Sequence, residues 1–155
     1  MQYDCDSLSV ALTRAGGLAR DFDAVWERIW QQDHVPPRSL ELCRMRLATL
    51  HGTVAEAGRM RGFETDPQRC AAVRDGSYAD SPLFDASERA LLAFAEVYAQ
   101  DAAAIDDELA DAVKRHHGEA GLVCLIESLG FIDARIRLAM LFSALGSDVT
   151  AEESP

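Results

Sequence analysis

The most restrictive feature of the chain is residues 119–145, a segment with helical spacing that is apolar on almost every side. Its larger apolar residues are Leu122, Val123, Leu125, Ile126, Leu129, Phe131, Ile132, Ile136, Leu138, Met140, Leu141 and Phe142. A helix at a protein surface needs only one apolar stripe. We therefore expect this helix to be central in the fold or shared with another subunit, and we favour a homo-oligomer.

The chain as a whole also favours helices over strands. Its 25 Ala and 17 Leu far outnumber its 9 Val and 5 Ile, and Ala and Leu are strong helix formers whereas β-branched residues favour strands. Because ordinary domains have about 100–200 residues, the 155 residues predict one all-α domain. We place this domain at 1–146, followed by a disordered acidic tail at 147–155.

Capping residues, glycines and prolines divide the chain into helices. We predict helices near 7–12 (capped by Asp6 or Ser7), 21–30 (opened by Asp21), 38–51, 53–62, 66–73 (begun by Asp66 and closed by Gly76), 86–100 (capped by Ser87 or Asp85), 106–117 (stopped by Gly118) and 119–145. Thr53 and Glu56 match a capping box, in which each side chain accepts a hydrogen bond from the other residue's backbone N–H. Residues 38–62 are therefore predicted to form a helix hairpin.

Charge and cysteine content exclude several partners. The chain has 26 acidic and 15 basic residues, for a net charge of −11, which disfavours nucleic acids and anionic membranes. No apolar run approaches the roughly 20 residues of a membrane span, and the acidic start does not resemble a signal peptide. Cys5, Cys43, Cys70 and Cys124 are far apart and predict free thiols in the cytoplasm.

Three segments resemble the carboxymuconolactone decarboxylase / alkylhydroperoxidase D-like family. The run RSLELCRMRLATLHG at 38–52 is similar to the family's LELxRLRxAxLNGC, SERALLAFAE at 87–96 to its ERAxLAxAE, and 122–146 to its closing helix. The likeness covers about 35–146 and keeps the order of the segments. It implies a helical bundle with a central helix hairpin that assembles as trimers or hexamers.

The resemblance also implies where the chemistry lies. The redox branch of the family uses two Cys, a His and a Glu between the hairpin helices. Here Thr53 and Glu56 occupy the Cys positions, Met60 occupies that of the downstream His, and Glu41 is retained. A thiol peroxidase needs a reactive thiolate and a second thiol that resolves the product. We therefore do not expect peroxidase activity at this site.

The decarboxylase branch, which commonly has Glu at the second Cys position, fits these residues better. Positions at equal distances from the hairpin turn face each other, which brings Glu41 close to Met60, one turn beyond Glu56. Two carboxylates in one pocket can act as acid and base without a cofactor or a metal. Glu41 is the expected principal acid/base group, although the helix dipole also explains it, and Glu56 is explained equally by its capping role.

The remaining candidates have structural alternatives. His51 can reach the pocket or cap the first hairpin helix, and Arg137 can hold a substrate carboxylate or pair with Asp133 four residues earlier. Thr53, Met60 and Asp133 are further candidates for substrate contact. His116 and His117 lie on different faces of a helix, so we expect no metal site there.

The leading functional expectation is cofactor-independent decarboxylase, lyase or isomerase chemistry on a small carboxylated or carbonyl substrate. The main alternative is a non-catalytic binding or assembly protein that keeps the fold. A tailoring enzyme of a biosynthetic pathway is a third possibility.

Overall fold

The computed structural model describes residues 8, 12 and 16–151, with side chains to residue 145. Within these residues there are helices and 3-10 turns but no β-strand, so the all-α prediction is confirmed. The helices are α1 (Gly17–Ile29), α2 (Pro37–Leu50), α3 (Val54–Gly58), α4 (Pro67–Asp75), α5 (Ala86–Gln100) and α6 (Asp107–Ala151), with 3-10 turns at Ser77–Ala79 and Ala102–Ala104.

The centre of the fold is α2. All ten of its residues from Ser39 to Ala48 are buried, and the helix packs against α3, α4, α5 and α6. The polar side chains of Glu41, Arg44 and Arg46 therefore lie inside the protein. Because an unpaired buried charge costs several kcal/mol of free energy, each of them needs a partner there.

The most apolar helix, α6, lies at the side of the bundle. It buries one face, formed by Leu122, Leu125, Leu129, Ile132 and Ile136. Other apolar residues are close to half exposed, namely Val123, Ile126, Leu141 and Leu145. Of the two expectations for this helix, the central position is wrong because α2 occupies it. A face shared with another subunit stays a prediction.

Several helix ends follow the signals in the sequence. The Asp66 side chain accepts from the first turn of α4, and Gly76, with φ of 85°, ends that helix in the left-handed region. At α5, Asp85 and Glu88 form a complete capping box. Gly118, with φ of 71° and ψ of 178°, interrupts α6 where the sequence predicts the boundary between two helices.

Other boundaries differ from the prediction. Helix α1 begins at Gly17, four residues before Asp21, because the chain turns at Gly16 through a positive φ of 72°. Helix α6 continues to Ala151, past the predicted start of the tail at 147. Residues 152–155, and the predicted first helix apart from the helical residues 8 and 12, lie outside the described residues.

The predicted hairpin forms with a short second arm. A turn at Gly52, where φ is 73°, leads into α3, whose N-cap Thr53 accepts a hydrogen bond from the Glu56 backbone N–H at 3.4 Å. The Glu56 carboxylate pairs with Arg59, at 3.0 Å, rather than completing the capping box. The second arm then ends at Gly58 instead of near residue 62.

Candidate functional site

The segment after α3 is held in place by Glu41, which is fully buried on α2. One carboxylate oxygen of Glu41 accepts a hydrogen bond from the backbone N–H of Arg61. The other accepts from the backbone N–H of Glu64 at 2.7 Å. Hydrogen bonds to an ionised acceptor are about twice as strong as neutral ones, so Glu41 anchors residues 61–64 against the central helix.

Arg44, one turn further along α2, donates hydrogen bonds to carbonyl groups of the same part of the chain. Its guanidinium donates to the carbonyl oxygen of Glu56 at 2.7 Å and to that of Arg59, and it lies 3.8 Å from the sulfur of Met60. Backbone groups outside helices need other hydrogen-bond partners when they are buried. Glu41 and Arg44 supply them, which explains why α3 can end early and which positions residues 56–61.

A cavity of about 180 Å³ lies between this segment, α1 and α6. Its apolar lining residues are Leu8, Trp26, Met60, Ile132 and Ile136. Its polar lining residues are Arg44, Glu56, Arg59, Arg61 and Arg135. Arg61 is exposed, so the cavity is open to solvent along the segment that follows α3.

The described residues of the lining include four guanidinium groups and one carboxylate, that of Glu56. Arg59 lies 3.0 Å from this carboxylate. The chain as a whole carries a net charge of −11, so the general composition does not explain this local excess of arginine. Such a lining attracts anions.

Arg61 and Arg135 pair with carboxylates that lie outside the lining. Arg61 is 3.3 Å from Glu27, and Arg135 is 3.7 Å from Asp23. The side chains of Glu27 and Asp23 are 58% and 42% exposed. Water screens charges at such positions, so these acids offset only part of the positive charge that faces the cavity.

Trp26 joins the two arginines to the apolar wall. The guanidinium of Arg135 lies 4.5 Å from the centre of the Trp26 ring, and that of Arg61 lies 5.4 Å from it. Trp30 meets Trp26 edge to face, with ring centres 5.3 Å apart. Guanidinium groups stack favourably on aromatic rings. This end of the cavity therefore combines an aromatic surface with positive charge.

Of the residues predicted at the site, only Glu56 and Met60 line this cavity. Glu41 lies behind the wall, so the expectation that Glu41 and Glu56 share one pocket is not met. Thr53 borders a different depression, of about 350 Å³, together with Gly52 and others. The proposed pair of carboxylates is thus reduced to one at the cavity.

His51, Asp133 and Arg137 come together in a separate cluster. His51 Nε2 lies 2.5 Å from one oxygen of Asp133, and Arg137 Nε donates to the other at 2.7 Å. Burial and the charge of Asp133 raise the pKa of Tyr98 nearby. The predicted pairing of Asp133 with Arg137 is confirmed, and neither residue is part of the cavity lining.

The cavity contains functional candidates that the sequence interpretation did not select. They are Trp26, Arg44, Arg59, Arg61 and Arg135. Two signals were present: Arg44 follows Glu41 by one helical turn, and Arg135 interrupts the most apolar helix. The grouping itself depends on how the segment after α3 folds back, which no local pattern indicates.

The described cysteines are free, and none lines the cavity. Burial raises the pKa of the Cys43 thiol to about 12 and also raises the pKa values of Cys70 and Cys124. Because the thiolate is the reactive form, these three thiols are poor nucleophiles at neutral pH. Cys5 lies outside the described residues.

His117 has a structural contact. Its Nε2 lies 2.8 Å from the Ser87 hydroxyl, which links α6 to the start of α5. Burial and the neighbouring His116 lower its pKa. In the part of the chain that the structure describes, no group of three or more His, Cys, Asp or Glu side chains is arranged to hold a metal ion.

Comparisons with protein-family models, with curated proteins and with solved structures give no match. The family resemblance therefore stays a prediction from the three motifs. Among the described helices, none combines the length and the apolar character that crossing a membrane requires.

Proposed function

We propose that this protein carries out cofactor-independent acid/base chemistry, as a decarboxylase, lyase or isomerase, on a small carboxylated or carbonyl compound bound in the cavity. The observation that carries the proposal is the placement of Glu56. Among the described residues that line the cavity, it is the one carboxylate, and the other polar groups are guanidinium groups.

Glu56 would move the proton. As a carboxylate it accepts a proton from a carbon beside a carbonyl group and returns it to another atom, which is an isomerisation. In its protonated form it donates to the carbanion that remains when CO₂ leaves, and water then restores the proton. The arginines stabilise the negative charge that develops on the enolate oxygen. Neither sequence of steps needs an oxidant or a metal.

Glu41 takes a different part in this proposal from the one that the sequence suggested. It is a positioning residue because its two hydrogen bonds hold the backbone at Arg61 and Glu64. Through that segment it keeps Met60 and Arg61 on the cavity wall. A role for Glu41 as the acid/base group itself stays a prediction, which the variants below test.

The test follows proton exchange and CO₂ release by NMR in D₂O, with pyruvate and acetoacetate as probes. We expect the protein to accelerate one of these reactions and Glu56→Gln to slow it by about 100-fold or more, the usual contribution of a general acid/base group. Glu41→Gln should lower the folded fraction but keep the rate per folded molecule within about threefold, since a positioning residue acts indirectly. A rate lost only in Glu41→Gln would contradict the assignment to Glu56.

The alternative is a binding or assembly protein without catalytic activity. It is favoured by Glu41, the residue that the family resemblance retains, because both of its carboxylate oxygens accept backbone hydrogen bonds. This alternative predicts saturable ligand binding in the cavity with neither exchange nor CO₂ release. This alternative would be supported if pyruvate and acetoacetate reacted at the uncatalysed background rate with both the wild type and Glu56→Gln.

We also propose that the chain forms a homo-oligomer, a trimer or hexamer, through α6. The support is the set of half-exposed apolar residues on that helix, including Val123, Ile126, Leu141 and Leu145, because exposed apolar surface can mark an interaction site. Analytical ultracentrifugation should find trimers or hexamers, and Leu141→Asp should dissociate them. A monomeric wild type at micromolar concentration would contradict this.

Location and partners remain as the sequence suggested. We propose a cytoplasmic protein that binds a small molecule and no nucleic acid. The free thiols of Cys43, Cys70 and Cys124 support a reducing compartment, and the net charge of −11 argues against binding to nucleic acid. Cell fractionation and a DNA-binding assay at low salt test these two points.

A further inference from the structure

We infer that two copies of this chain pair along α6, antiparallel to each other and about a two-fold axis at the level of residue 132. This inference rests on the homo-oligomer of the proposed function, and it adds the symmetry of the interface and the contacts within it. The exposed face of α6, its two charges and their order along the helix support it.

The exposed face of α6 is apolar where a helix normally faces water with polar side chains. Between residues 120 and 144 the exposed residues recur mostly every three or four positions, which places them on one side of the helix. They are Ala120, Val123, Ile126, Glu127, Gly130, Ala134, Arg137, Met140, Leu141 and Ala144. Only two of these ten residues carry a charge. This face, about 36 Å long, therefore has the composition of an interface.

The residues of this face follow a palindromic order about residue 132. Ala120 and Ala144 lie equally far from it on its two sides, and so do Val123 and Leu141. In an antiparallel pair of helices with that centre, each of these residues lies level with its counterpart on the second copy. A two-fold interface requires such self-complementarity, because when residue i contacts residue j, j also contacts i.

The two charged residues fit the same symmetry. Glu127 and Arg137 each lie five positions from residue 132, so the carboxylate of each copy is opposite the guanidinium of the other. Arg137 Nε donates to Asp133 in its own helix at 2.7 Å, and its side chain is 63% exposed, so its terminal nitrogens can reach a second carboxylate. A parallel pair in register would instead place like charges against each other, which is unfavourable.

The middle of the face allows the two helices to approach closely. Gly130 and Ala134 are exposed, lie on either side of the proposed axis and are level with each other across it. The distance between packed helices, about 8–10 Å, depends on the side chains at the contact. Small side chains at the centre therefore let Val123 and Leu141 reach the second copy.

The apolar and charged residues have different parts in this contact. Burial of the apolar side chains supplies the affinity, whereas exposed ion pairs contribute little to it. The charges instead determine orientation and register, because like charges that face each other disfavour the wrong pairing. A two-fold contact makes a dimer, and three such dimers make a hexamer. Of the two assemblies proposed above, the inference therefore favours the hexamer over the trimer.

Charge reversal tests the antiparallel pairing. Glu127→Arg places arginines opposite each other and Arg137→Glu places glutamates opposite each other, so each variant alone should weaken the two-fold contact at least about tenfold. An equimolar mixture of the two variants restores both Glu–Arg contacts of a pair, and so does the double variant in one chain. Both should regain the wild-type assembly in sedimentation velocity.

The control is Asp80→Arg, which makes the same change of charge at an exposed position after the Ser77–Ala79 turn. It should assemble like the wild type, and circular dichroism checks that each variant is folded. The inference is overturned if both single variants assemble like the wild type, or if neither the mixture nor the double variant regains the assembly.

Cross-linking tests the register without changing a charge. In a background in which Cys5 and Cys124 are replaced by Ser and the other two cysteines are buried, Val123→Cys and Leu141→Cys place new thiols at positions that the axis makes level with each other. Co-expression of the two variants and mild oxidation should give a disulfide-linked species that contains one chain of each. Val123→Cys alone should not cross-link, because its two thiols would lie about 27 Å apart along the helices.

A linked product of Val123→Cys with itself would mean that the helices are parallel, and it would overturn the inference. So would the absence of a linked product from the two variants together.

Failure here is distinguishable from failure of the proposed function. A wild-type trimer that Leu141→Asp dissociates would keep α6 as the interface and rule out the two-fold contact. A dimer that passes both tests would keep the two-fold contact and rule out the proposed trimer or hexamer. The acid/base role of Glu56 is measured by reaction rates and depends on neither result.

Discussion

Two of the regions that contain buried arginines differ in how many carboxylates accompany them. In the first, which we call the Glu64 network, Arg38, Glu64, Arg69 and Glu88 form a chain of ion pairs. Arg69 lies 2.7 Å from Glu64 and 2.5 Å from Glu88, and Arg38 lies 2.8 Å from Glu64. Two positive charges thus meet two negative ones. In the second region, the cavity, four arginines share the lining with one glutamate.

The Glu64 network is a cluster of paired charges, whereas the described residues of the cavity lining include more arginines than carboxylates. Buried charges support a fold when every member is paired, and removal of one partner strands the other. A lining with an excess of one sign gains more from a ligand of opposite charge, and proteins accept such local imbalance mainly at functional sites. The two regions should therefore respond differently when an arginine is removed.

The largest effect is expected in the Glu64 network. Arg69→Met removes the cation between two carboxylates and should lower the free energy of unfolding by about 3–5 kcal/mol, the usual cost of stranding a buried charge. Urea denaturation at a fixed protein concentration measures it, with the exposed Arg115→Met as the control. A change below about 1 kcal/mol would mean that the network does not stabilise the fold.

The same network predicts a specific pH dependence. Burial alone would raise the pKa of Glu64, but hydrogen bonds from Arg38, from the Asp66 backbone and from Arg69 outweigh it and lower the pKa from 4.5 to about 2. A carboxyl group with a lower pKa in the folded state stabilises the protein above pH 4.5. That stabilisation is lost as the pH falls toward 2.

Comparison with Glu64→Gln isolates this contribution. The variant should be less stable than the wild type by on the order of 3 kcal/mol at pH 7, and the gap should close as the pH falls from 4.5 toward 2. Glu119→Gln, at an exposed position, should show no such closing gap. A difference that stays constant over this pH range would contradict the predicted pKa of Glu64.

The features of the fold that could be predicted from the sequence are those that depend on neighbouring residues. Several local signals were reliable: the caps at Asp66 and Asp85, the glycine stops at 76 and 118, and the hairpin turn all follow from neighbouring residues. Two others were wrong, since α1 begins before Asp21 and Glu56 does not complete the predicted capping box. The all-α class follows from the same helix-forming residues. Each of these features depends on short-range backbone hydrogen bonds, so a local pattern suffices.

The composition of the site could not be predicted in the same way. Glu56 and Met60 were selected by the family resemblance, and they do line the cavity. Glu41 was placed in the pocket by an ideal hairpin with two long arms. The real second arm ends at Gly58 because Glu41 and Arg44 bind the backbone that follows. Long-range hydrogen bonds of buried side chains therefore determine which residues line the cavity. The spacing of residues in the sequence does not reveal these bonds.

A cavity arginine should behave differently from Arg69. Arg135→Met keeps a long side chain but removes the ion pair with Asp23, a residue that is 42% exposed. Pairs with such an exposed partner contribute about 0–1 kcal/mol, so we expect the free energy of unfolding to fall by about 1 kcal/mol at most. A destabilisation as large as that of Arg69→Met would remove the distinction between the two regions.

The smallest effect is expected for Arg137, which provides the exposed reference for both buried regions. Its side chain is 63% exposed, and it pairs with Asp133 at 2.7 Å across one helical turn. Exposed pairs of this spacing contribute only about 0.2–0.5 kcal/mol. Asp133 also keeps its contact with His51, so Arg137→Ala should lower the free energy of unfolding by no more than about 0.5 kcal/mol.

Urea denaturation at low and high salt measures the loss, which should shrink as salt screens the pair. A loss above about 1 kcal/mol that salt does not reduce would show that this cluster is coupled to the core.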